Sequence, residues 1–234
     1  MRNSENRRSK STQNSAKPNE MIAALIAVAL IIGGISAFAI WSAKKPREIP
    51  MEMFVGVDVT RSVAQKQRQK CFGVFESVVD SALPKQTHLR FWTYDVNSRE
   101  QAARDSNKSS DLWSLEDQMI ATLRKDTKGT YPNNVMHDMA NAAKEAAASG
   151  KNCACMFLTD GEDTDPKATD KSIAELAAIP NVKAVWFEGV DGKSGTRSDL
   201  ERRFKPVLGD KLILTSDTDS QTGLDQFQKL IDRK

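Results

Sequence analysis

Asp58, Thr60 and Ser62 stand at every second position of "FVGVDVTRSV" (54–63), directly after an apolar run. All three side chains end in oxygen. A second aspartate, Asp160, closes another apolar run, "NCACMFLTD" (152–160), and is followed by Gly161. Oxygen-only donors without histidine or thiolate suit hard divalent cations such as Mg²⁺, Mn²⁺ or Ca²⁺. Two carboxylates brought close without a cation would repel each other, and one would be driven toward its protonated form. Taken alone, "DVTRS" also fits a helix N-cap, because Asp, Thr and Ser are the usual capping residues. Likewise, "TDG" alone is a common turn. What separates these readings is whether the fold brings the two stretches together.

The elements that must position them follow from periodicity. Short apolar runs at 53–57, 88–95, 152–160, 182–190 and 211–216 read as strands. Between and after them, helical spacing is expected over 62–82, 110–123, 134–149, from the Asp165–Pro166 start onward, 198–208 and 222–231. Gly150 fits a helix C-cap, and Asp165 with Pro166 fits an N-cap and first helical position. Residues 96–109 are polar and turn-rich, and 125–134 read as a loop from their Gly, Pro and Asn content. Apolar strands alternating with helices predict strands covered on both faces, hence a mainly parallel sheet. The expected fold is a three-layer, doubly wound, Rossmann-like α/β domain over 51–234. Ligands of such folds bind at the carboxyl ends of the strands, near the point where strand order reverses. Asp58 and Asp160 both lie at such ends, on strands expected to be central.

With these residues in place, the chain resembles the von Willebrand factor type A domain and its metal-ion-dependent adhesion site (MIDAS). That family pattern is Asp-x-Ser-x-Ser, a loop Thr, then the Asp of Thr-Asp-Gly. Here the first part is Asp58, Thr60 and Ser62, and the last is Asp160. The loop Thr best matches Thr130 in "KGTYP", ahead of Thr127, because Gly129 lets the backbone approach closely. Thr60 departs from the usual Ser, keeping the hydroxyl and adding a methyl group. The resemblance covers about 51–232. It implies a metal set of Asp58, Thr60, Ser62, Thr130 and Asp160, with Mg²⁺ the first choice of cation. One coordination position is left for a Glu or Asp of a partner protein. It also implies recognition rather than turnover, so no enzymatic activity is expected.

The rest of the chain bounds these readings. Residues 1–20 are a basic polar tail, expected to be disordered. Residues 21–41, "MIAALIAVALIIGGISAFAIW", carry no charge over a length that spans a bilayer as a helix. Residues 42–50 form a linker containing Pro46 and Pro50. More basic residues lie before the span than close after it, which places the N-terminus in the cytoplasm and the domain outside. "AFA" (37–39) keeps a cleaved signal peptide open as an alternative to an uncleaved anchor. Ala29, Gly33 and Ala37 form a small-residue stripe through which spans could pair into a homo-oligomer. The formal charge is +3, but 42–234 hold equal numbers of basic and acidic residues, which argues against nucleic-acid binding. Cys71, Cys153 and Cys155 are too few for a disulfide framework and lack zinc spacing. They read as buried apolar residues, with a bridge from Cys71 to either of the others left open in an oxidising compartment. Two other functions compete. Haloacid dehalogenase-like phosphatases also place an Asp after the first strand, but they need a second acid where this chain has Thr60. A metal-free membrane scaffold would rely on the small-residue stripe instead.

Overall fold

A computed structural model describes residues 50–84, 86–105, 108–121, 129–191 and 195–233. Strands β1 (Met51–Asp58), β2 (Thr87–Tyr94), β3 (Ser98–Asp105), β4 (Asn152–Leu158), β5 (Val182–Glu188) and β6 (Leu212–Thr215) form one sheet. The helices are α1 (Gln65–Ser81), α2 (Trp113–Ala121), α3 (Pro132–Ala148), α4 (Pro166–Ala177), α5 (Thr196–Leu208) and α6 (Ser220–Ile231). Strand order is β3-β2-β1-β4-β5-β6, with every pair parallel except β2–β3. The sheet is therefore mixed and mostly parallel.

β1 and β4 are central because their side chains are apolar on both faces. All eight residues of β1 are buried, as are six of the seven in β4. Met53, Val55 and Val57 face Phe72 and Phe75 of α1, Leu115 and Met119 of α2, and Phe227 and Leu230 of α6. Phe54 and the opposite faces of the neighbouring strands pack under α3, α4 and α5. These two cores give the three layers. Gly56 lets α3 close onto the sheet, since a Cβ there would lie 3.0 Å from Met139 Cε and 3.2 Å from Phe157 Cδ1. Chain order reverses between β1 and β4: β2 and β3 run off one side of β1, while β5 and β6 run off the far side of β4.

The structure departs from the sequence reading in several places. Residues 96–109, expected to be irregular, contain the antiparallel edge strand β3. Its sequence, "SREQAARD", pairs along one edge only and leaves six of its eight side chains exposed. No apolar alternation marks it, and its charges are those that protect a free edge. α1 begins at Gln65 rather than Ser62, because Thr60, Arg61 and Ser62 form a turn. α3 begins two residues earlier than expected, with Pro132 in its first turn. All three cysteines are buried and free. The tail (1–20), the span (21–41) and residues 42–49 of the linker lie outside the described residues. Among the described residues, no helix is long and apolar enough to cross a membrane.

Candidate metal centre

The end of β1 delivers Asp58 into the crevice at the strand-order reversal, where its side chain is fully buried. Its Oδ1 accepts from the Thr60 amide at 2.9 Å and from Thr60 Oγ1 at 2.6 Å. Its Oδ2 accepts from Thr159 Oγ1 at 2.9 Å. Thr60 Oγ1 in turn lies 3.0 Å from Ser62 Oγ and accepts from Thr130 Oγ1 at 3.3 Å. The alternating oxygens of "DVTRS" thus turn inward together, and the hydroxyl of a distant loop meets them.

Thr130 is 2% exposed and is fixed by its backbone. Its amide donates to Thr164 Oγ1 at 2.9 Å, and its carbonyl accepts from the Thr164 amide at 2.8 Å. This pairing needs Gly129, whose φ is +132°. A Cβ at that position would sit 2.5 Å from Thr164 Oγ1. Thr127, the competing loop residue, lies outside the described residues.

Asp160 leaves β4 two residues beyond Leu158 and is half-buried. Its Oδ1 accepts from the Glu162 amide at 3.0 Å. It is joined to the cluster through its neighbour: Thr159 Oγ1 donates to Asp58 and accepts from the Gly161 amide at 3.0 Å. Four of the five expected residues, Asp58, Thr60, Ser62 and Thr130, are therefore linked by direct hydrogen bonds. Asp160 stands beside them, near enough for its charge to act on Asp58.

Burial first, and the Asp160 charge with it, raise the Asp58 carboxyl while hydrogen bonds from Thr60 and Thr159 pull it back, leaving it at about 7. A carboxylate sealed from water beside a second acid favours either a proton or a cation. The donor set fits the second choice. Three hydroxyl oxygens with lone pairs and two carboxylates match the hard-cation preference for oxygen, and two negative charges balance a divalent ion. Among the described residues, no group of three or more His, Cys, Asp or Glu side chains is placed to hold a metal.

Several residues of the site were not singled out by sequence reasoning. Thr159 lies unremarked inside "NCACMFLTD". Thr164 had no local signal. Arg68 of α1 is fully buried, and none of its three guanidinium nitrogens has a hydrogen-bond partner among the described residues. Burial lowers its proton affinity, and the nearby Asp58 charge partly restores it. The turn "GEDTD" (161–165) is acidic but only partly exposed. The Asp163 side chain is 6% exposed and paired with Arg203. Asp165 caps α4, accepting from the Ala168 amide at 3.1 Å.

A six-stranded, mostly parallel sheet with helices on both faces and this site at its reversal point has the fold of von Willebrand factor type A domains. Among solved structures, one such domain from Catenulispora acidiphila is 12% identical over 80% of this chain and 44% of its own, with a TM-score of 0.54. BatB from Bacteroides thetaiotaomicron is 11% identical, covering 77% of this chain and 98% of its own at a TM-score of 0.54. Proximal thread matrix protein 1 from the mussel byssus, solved with a zinc-occupied MIDAS motif, is 14% identical over 79% of this chain and 46% of its own (TM-score 0.53). This chain spans about half the length of the mussel protein or less. At these identities the likeness shows the fold alone. No family model matches the sequence, and no curated protein does.

Proposed function

We propose that the chain is a membrane-anchored protein-binding module that engages an acidic side chain of a partner through a divalent cation. Asp58, Thr60, Ser62, Thr130 and Asp160 would hold the ion. The observation that carries this reading is the chain of hydroxyls in which Thr60 Oγ1 lies 3.0 Å from Ser62 Oγ and 3.3 Å from Thr130 Oγ1 and is tied to the buried Asp58 carboxylate. Such a cluster has ready lone pairs and no other evident use at a ligand-binding edge. When bound, the cation supplies a Lewis-acidic position to which an external Glu or Asp carboxylate coordinates. The protein's part is to fix the oxygens, exclude water from Asp58 and keep one side open. Mg²⁺ is the first candidate, with Mn²⁺ and Ca²⁺ as alternatives. No proton transfer or bond cleavage is needed, so the activity is recognition.

Residues 21–41 would anchor the chain, with the N-terminus in the cytoplasm and the domain outside. The small-residue stripe in that span would let copies pair. Calorimetric titration of Mg²⁺ and Mn²⁺ into the detergent-solubilised full chain tests the site: saturable binding is expected, and none in Asp58→Ala. Pull-down from membranes with and without EDTA tests the partner. Capture that persists unchanged in EDTA would overturn the cation-bridged reading.

A further inference from the structure

Arg203 lies on α5, outside the set of residues that could touch a cation. Its side chain is 9% exposed and its guanidinium donates on every side. Nη2 donates to Asp163 Oδ2 at 2.8 Å and to the Pro166 carbonyl at 2.9 Å. Nε donates to Asp170 Oδ1 at 2.8 Å, and Nη1 to Asp199 Oδ2 at 3.3 Å. Two of these acceptors, Asp163 and Pro166, belong to the segment that runs from Asp160 into α4.

Asp163 passes this anchorage inward. Its Oδ1 accepts from the Asp165 amide at 3.1 Å and from Thr169 Oγ1 at 2.9 Å. The C-terminal half of the acidic turn, from Asp163 to Pro166, is thereby held to α4 and α5. Within that half lies Thr164, whose amide and hydroxyl grip both backbone groups of Thr130. The link from Arg203 therefore runs by hydrogen bond to Asp163, along the backbone to Thr164, and by hydrogen bonds from Thr164 to Thr130 and from Thr130 to Thr60. The same turn begins at Asp160. Neither Thr130 nor Asp160 sits inside a helix or strand, so neither oxygen is placed by ladder hydrogen bonds.

We propose that Arg203 is the positioning residue of the candidate cation site, setting Asp160 and Thr130 at the spacing a small cation needs by clamping the 160–166 turn through Asp163. The planar fork of arginine suits this work, because its donors leave in fixed directions and satisfy several acceptors at once. Lysine would keep the charge and lose the fork. Asp170 and Asp199 neutralise Arg203 without touching the turn. The clamp thus has a site-facing half and a purely supporting half.

This inference rests on the cation-site reading, and one experiment separates the two. Mn²⁺ is titrated calorimetrically into the full chain in mild detergent, as wild type, Arg203→Lys, Asp163→Asn and Asp170→Ala, with circular dichroism as the folding control. Groups that orient metal ligands from behind typically alter metal affinity by about 10- to 100-fold when removed. Arg203→Lys and Asp163→Asn are each expected to weaken Mn²⁺ binding by at least tenfold. Asp170→Ala removes an equally short bond on the supporting half and is expected to stay within about twofold of wild type. Should Arg203→Lys not fold, Asp163→Asn decides alone. Wild-type affinity in folded Asp163→Asn, or equal weakening in Asp170→Ala, overturns the positioning role. Absence of Mn²⁺ binding in wild type overturns the cation site itself, and the positioning role with it.

Discussion

Thr60 touches the Ser62 and Thr130 hydroxyls and the Asp58 carboxylate as well. A valine there would match its shape and remove the oxygen. Thr60→Val is expected to weaken Mn²⁺ binding at least about tenfold, while Thr60→Ser, which loses only a methyl, stays close to wild type. Isothermal titration of both variants checks this. Asp58→Asn is expected to abolish binding. Thermal denaturation with and without Mg²⁺ checks this: the Mg²⁺-dependent rise in melting temperature expected of wild type should be absent in the variant. Much of this was legible in the sequence. The spacing of Asp58, Thr60 and Ser62 names three of the oxygens, and Gly129 points to Thr130. Arg203 and Asp163 were not legible. They lie 40 positions apart, and Asp163 sits in an acidic run whose default reading is a solvated turn. Only the fold shows that one member of that run faces inward.

Among the elements, the two loops of the site are held directly to each other. The pairing of Thr130 with Thr164 depends on the backbone at Gly129, where a side chain meets both an unfavourable φ and a 2.5 Å clash. Gly129→Ala is expected to cost about 1–3 kcal/mol of stability and to lower cation affinity in parallel. Urea denaturation together with Mn²⁺ titration checks it. The strands that carry Asp58 and Asp160 were readable because burial on both faces makes them continuously apolar. β3 was not, because an edge strand with an exposed face has no hydrophobic pattern to show. Ser62 was assigned to a helix for a related reason. Its hydroxyl turns into the site, and the helical apolar spacing begins only beyond it.

Across the whole molecule, stability should depend on pH through Glu188, at the end of β5. It is 1% exposed, and burial raises its proton affinity above the ordinary carboxylate range despite hydrogen bonds from Thr215 and Ser220. Such a group binds its proton more readily folded than unfolded. Its influence favours the folded state at low pH and declines as pH rises from the ordinary carboxylate value through the raised one. Glu188→Gln is expected to flatten that decline, as measured by urea denaturation at pH 4 to 8. The three cysteines give a second global probe. Burial raises the proton affinity of all three thiols. Thiol reagents are therefore expected to label none of them in the native protein and all three in denaturant.

β1 has a mechanical consequence. The domain's chain enters this strand at Met51, and the strand ends at Asp58, where a partner would be held. Seven residue steps along the strand separate those points by roughly 23 Å. Parallel neighbours flank it along nearly its whole length, from Met51↔Thr87 to Asp58↔Tyr94 on one side and from Met51↔Asn152 to Val57↔Leu158 on the other. Tension between tether and partner would therefore run along the strand axis, through the covalent backbone of β1 itself. Any share of the load taken by Thr130 and Asp160 would pass to β1 across these ladders in shear, where their hydrogen bonds resist together instead of peeling apart one at a time.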